Sequence, residues 1–85
     1  MQVKITTAIR DALKTLHDVP DDLRARLDAI AADGSGFSLK LSEDDATALA
    51  ELVQWHIRTD AGTHQPTPET APFAELVRLI DEAQL

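Results

Sequence analysis

The chain has no cysteine, one tryptophan, two phenylalanines and three glycines. Without cysteine there is no disulfide, no thiolate metal ligand and no thiol nucleophile, and a reducing compartment is the simple expectation. Aromatic residues make up only 4% of the chain, and much of its 44% apolar content is alanine, so the composition favours closely packed helices over an aromatic sheet core. No run approaches the ~20 apolar residues of a membrane span. The opening MQVKITTAIRDAL lacks the apolar segment of a signal peptide. A cytoplasmic protein without membrane contact is therefore expected.

Positive charge is scarce as well. Eight Lys and Arg face fifteen Asp and Glu, for a formal net charge of −7. That balance opposes non-specific binding to phosphate backbones or anionic lipid. Its distribution is uneven: residues 1–17 carry Lys4, Arg10 and Lys14 against Asp11 alone, and the remainder is acidic. A basic contact surface on an acidic body would leave this signature.

Eighty-five residues make one small domain, 1–85, with a modest buried core. Met1, Val3 and Ile5 alternate with Gln2, Lys4 and Thr6, the period of a short strand. Thr6 or Thr7 then caps a helix whose apolar stripe is Ile5, Ile9, Ala12 and Leu16, flanked by Ala8 and Leu13. Asp18-Val19-Pro20 breaks it. Pro20 suits the first position of a second helix, with Asp21 and Asp22 in its first turn and Leu23, Leu27 and Ile30 as its stripe. Asp22/Arg26 and Arg24/Asp28 are spaced as surface ion pairs. Gly34 reads as the helix stop. The short connection makes these two helices antiparallel neighbours.

Phe37, Leu39 and Leu41 alternate with Ser38 and Lys40 as a second strand, whose natural partner is the first. Ser42 with Asp45 is a capping signal for the longest periodic segment, read as a helix to about Thr59. Its main stripe is Ala46, Leu49, Ala50, Val53 and Ile57. Ala48, Leu52 and Trp55 carry apolar surface well round the cylinder, leaving Glu43, Asp44, Thr47, Glu51, Gln54 and Arg58 as the polar arc. So wide an apolar arc implies contacts on two sides. Residues 60–71, DAGTHQPTPETA, form a long proline-containing loop without regular structure. Pro72 starts a last helix with Phe73, Leu76, Val77 and Ile80 inward. The fold class expected is mainly α: a small four-helix bundle in strand-helix-helix, strand-helix-helix order, with a short two-stranded β-ribbon joining the two halves.

Asp33-Gly34-Ser35-Gly36-Phe37 resembles part of the calcium loop of an EF-hand. With Gly36 at that loop's glycine position, Asp33 and Ser35 fall on side-chain ligand positions. The first ligand position, however, is Ala31 and the twelfth is Ser42, with Glu43 one residue late. Calcium takes six to eight oxygens, and both anchoring carboxylates are missing. A glycine helix stop followed by a turn accounts for the same residues, and no cofactor is expected.

His17, His56 and His64 lie on different elements with no i,i+4 pairing. His56 falls in the apolar arc, as a core histidine would. Ser35, Ser38 and Ser42 sit in no nucleophile elbow, and the adjacent Asp44 and Asp45 point in different directions. No enzyme is expected. The functional reading is a small acidic protein-interaction or regulatory domain, acting with a protein partner or as a homodimer. Leu52, Trp55, His56, Asp60 and His64 would form its contact surface, unless Trp55 is covered by Phe73 and the proline loop. A second reading takes the first strand and two helices as similar in element order to a ribbon-helix-helix DNA-binding antitoxin or repressor, with Gln2, Lys4 and Thr6 reading base edges. The turn at Val19-Pro20 departs from that pattern, and the acidic balance weighs against nucleic acid. A third is a metal protein using His56, Asp60 and His64.

Overall fold

The computed structural model describes residues 1–84. Its elements run β1 (Gln2–Ile5), α1 (Thr7–Lys14), α2 (Asp21–Asp28), β2 (Ala31–Asp33), β3 (Gly36–Lys40), α3 (Glu43–Gln54) and α4 (Ala71–Gln84). The four helices and the mainly helical character match the sequence reading. The ribbon is larger than expected: β1 and β3 pair antiparallel, and β2 adds to the other side of β3, giving the order β1-β3-β2.

Alternation sets the sheet. Val3 and Ile5 are buried while Gln2 and Lys4 face solvent, and the register puts Val3 opposite Leu39 and Ile5 opposite Phe37. A one-residue slip would turn this apolar set outward, so burial pins the register. The unforeseen β2 is Ala31-Ala32-Asp33, three exposed residues. Gly34, which the sequence suggested as a helix stop, lies in the turn between β2 and β3 with φ 65. The helix itself ends at Asp28, with the Ala29 N–H closing it on the Ala25 carbonyl at 3.2 Å. A hairpin therefore occupies the five residues that resemble a calcium loop.

Capping follows the expected chemistry. The Thr6 hydroxyl accepts from the Ile9 N–H at 3.2 Å, and the Ser42 hydroxyl from the Asp45 N–H at 3.1 Å. Pro20 stands at the N-cap of α2, one residue earlier than anticipated, where its missing N–H again costs no hydrogen bond. Neither anticipated ion pair on α2 forms. Arg26 reaches Asp45 of α3 at 3.2 Å, and Arg24 donates to the Leu16 carbonyl at 3.1 Å. Tertiary partners at fixed positions displace the local pairs, whose stabilisation is only a few tenths of a kcal/mol, roughly.

One hydrophobic core joins all parts: Val3, Ile5, Ile9, Leu13, Leu16, Leu23, Leu27, Leu39, Leu41, Ala46, Leu49, Val53, Phe73, Leu76 and Ile80. The last helix, α4, packs against α1, α3 and β1, whereas α2 leans mainly on β3.

Candidate functional site

The helix α3 ends at Gln54, five residues before the expected limit, and Trp55 is its C-cap. Ala46, Leu49 and Val53 are buried, as the stripe predicts, and Leu52 and Ile57 are half-buried against the core. The second side of the apolar arc is left uncovered. Ala48 is exposed, and Trp55 is 88% exposed, the one large hydrophobic side chain in that state among the described residues. The expected cover by Phe73 and the proline loop is therefore absent. Glu51, one turn back, and Gln54 line a shallow groove beside the indole.

Phe73 has a different neighbour. The His56 ring lies 6.0 Å from it, and His56 Nε2 is 3.5 Å from the Asp18 carboxylate. With 37% of its side chain exposed, His56 is not the core histidine the wheel suggested. It closes the edge of the core where α3 ends and the α1–α2 connection passes.

The segment after α3 is ordered by its own hydrogen bonds rather than by regular structure. The Asp60 carboxylate accepts from the Gly62 N–H at 2.7 Å and the Thr63 N–H at 3.3 Å, and the Asp60 carbonyl accepts from the His64 N–H at 2.8 Å. His64 carries φ 57, and Thr59 bridges to Pro66. Thr70 is the buried polar residue at the base. Its hydroxyl accepts from the Arg58 N–H at 3.1 Å, donates to the Arg58 carbonyl at 3.0 Å, and lies 2.8 Å from the Thr67 hydroxyl. The loop expected to lack structure is thus a closed turn stitched to itself, and nothing in its composition singles out Thr70 for that task.

Of the five residues expected at a partner surface, Trp55 and His64 are exposed, Leu52 and His56 are half-buried, and Asp60 spends its carboxylate on its own turn. Among the described residues, no three His, Asp or Glu side chains gather as a metal ion would require. Of the residues proposed to read DNA, Gln2 and Lys4 are exposed on the sheet, with the Gln2 amide donating to Ser38 at 2.5 Å, while the Thr6 hydroxyl is occupied as the α1 cap. No helix among the described residues is long and apolar enough to cross a membrane.

Comparison with protein-family models, curated proteins and solved structures finds no match for this chain.

Proposed function

We propose that this chain is a small non-enzymatic interaction or regulatory domain that engages a protein partner through the end of α3. The exposure of Trp55 carries this reading. Tryptophan is on average among the most buried side chains. When it stands in water on a firmly packed helix it offers a large rigid contact area at little conformational cost, which is why it is enriched at binding hot spots. Ala46, Leu49 and Val53 anchor the helix beneath it, so the indole is presented on a rigid support.

The test is a photocrosslinking amino acid placed at position 55 and, as a control, at exposed Glu82. A discrete adduct at position 55 and none at 82 is the expected result. No adduct specific to position 55 sinks the reading. Sedimentation of the purified chain separates a second copy from another protein, since self-association through Trp55 rises with concentration and disappears in Trp55→Ala.

A second reading keeps the DNA-binding strand. Gln2 and Lys4 of β1 and Lys40 of β3 are exposed, with Gln2 directly opposite Lys40 in the register. β1 is an edge strand, the position from which a ribbon pairs with a second copy. A mobility shift at low salt on the DNA flanking its own gene supports this reading, and the absence of any retarded species removes it.

A further inference from the structure

We propose that the cleft between α1 and α2 binds a small amphiphilic anion, a carboxylate or phosphate monoester carrying an apolar tail or ring. The cleft has a volume of about 270 Å3 and is lined by Arg10, Leu13, Lys14, Arg24, Leu27, Asp28, Ile30 and Phe37. That is close to the lower end of ligand pockets, about 300 Å3. Leu13 and Leu27 belong to the buried core, and Ile30 and Phe37 are half-buried beside it. The floor is therefore apolar, and the rim holds three of the chain's eight cations in a molecule of net charge −7.

Both arginines are held in place. Arg10 lies over the Phe37 ring, 4.3 Å from its centroid, and donates to the Asp11 carboxylate from Nε at 3.1 Å and Nη2 at 2.8 Å. Its Nη1 makes no side-chain hydrogen bond among the described residues. The Arg24 Nη2 is fixed on the Leu16 carbonyl, which leaves its other nitrogens to donate elsewhere. Donors immobilised before binding lose little freedom when a ligand arrives, and guanidinium groups match carboxylate and phosphate geometry. Lys14 adds a mobile point charge. Asp28 on the wall and Asp11 behind Arg10 reduce the field without cancelling it. They also disfavour a polyanion, whose further charges would meet them, so the cleft suits a single anionic head with an apolar body over Leu13, Leu27 and Ile30. This site is distinct from the surface at Trp55.

The experiment follows backbone amide shifts of the full chain titrated with octanoate and with phenyl phosphate, using octanol and octylamine as controls. Saturable shifts at Arg10, Lys14, Arg24 and Ile30 with at least one anion are expected, and the two anions distinguish carboxylate from phosphate. Lys14→Glu and Arg24→Gln should each weaken binding about fivefold or more, and Trp55→Ala should change it less than twofold. Lys14 is exposed, so its variant reports on charge without threatening the fold. No saturable shift with either anion, octanol or octylamine binding as tightly as the better of the two anions, shifts elsewhere on the surface only, or variants that bind like the parent would each overturn the proposal.

Discussion

Gly36 shows how closely single residues can be constrained. A Cβ at this position would stand 2.8 Å from the Ile5 carbonyl oxygen, a backbone atom of the paired strand. That oxygen cannot swing aside as a flexible side chain can. Gly36→Ala is therefore expected to destabilise by about 1–3 kcal/mol, the usual range for a forced local strain. Urea denaturation measures this, and an unchanged midpoint would refute the close approach. Thr70 is constrained by polarity instead. Thr70→Val keeps the shape but strands the Arg58 N–H, and should cost about 1–2 kcal/mol. Trp55→Ala should be nearly neutral, within about 0.5 kcal/mol, because so little of the indole is removed from water on folding. The contrast matters for function: a tryptophan that contributes little to folding can lose its partner without losing its structure.

At the level of elements, what the sequence revealed and what it concealed have clear physical causes. Every helix announced itself through apolar residues that recur at helical spacing. β1 and β3 did so through alternation, with Val3, Ile5 and Leu39 inward. β2 gave no such signal, because Ala31, Ala32 and Asp33 are all exposed and are held by backbone pairing to β3. The turn at 60–66 was hidden for the same reason, since backbone groups and the Asp60 carboxylate make its bonds. The wheel of α3 gave the direction of Trp55 but could not say whether a neighbour would cover it. Arg24 and Arg26 found partners distant in sequence that no helical spacing indicates. The cleft cations were half legible: Arg10 and Lys14 stood out in the basic first segment, whereas Arg24 joins them only through the packing of α2 against β3. On α4 the ion pairs are local, with Arg78 bonded to Glu75 and to Glu82. Hydrogen bonding from Arg78 holds the Glu75 carboxyl below its ordinary range. A lowered carboxyl pKa means that the pair's contribution is present above the unfolded value, about 4.3, and is lost as pH falls through the folded value. Carboxyl-detected NMR titration should find Glu75 below a free glutamate, returning toward it in Arg78→Ala; the same value in both proteins would contradict the assignment.

The whole molecule depends on α4 more than its terminal position suggests. It packs on α1, α3 and β1 at once, and α3 makes its main contacts with α4. Leu76 and Ile80 have no exposed surface, and Phe73 has 7%. A domain of this size has a net stability of about 5–10 kcal/mol at most. Truncating one such side chain typically costs about 2–5 kcal/mol, the transfer term plus the cavity left behind. Leu76→Ala should thus remove roughly a fifth or more of the total, and the chain ending at residue 70 should not fold cooperatively at all. Thermal unfolding followed by circular dichroism decides it. A cooperative transition in residues 1–70 would show that β1, β3 and α3 form a sufficient core and that α4 is an accessory. If the truncated chain is unfolded, as expected, the closed turn at 60–70 acquires a mechanical meaning. Thr70 ties the base of that turn to Arg58 just past α3, and α4 begins at the next residue. Thr70→Val should then weaken the docking of α4 as well as the turn, so amide exchange in α4 should rise further than in α2, which leans mainly on β3.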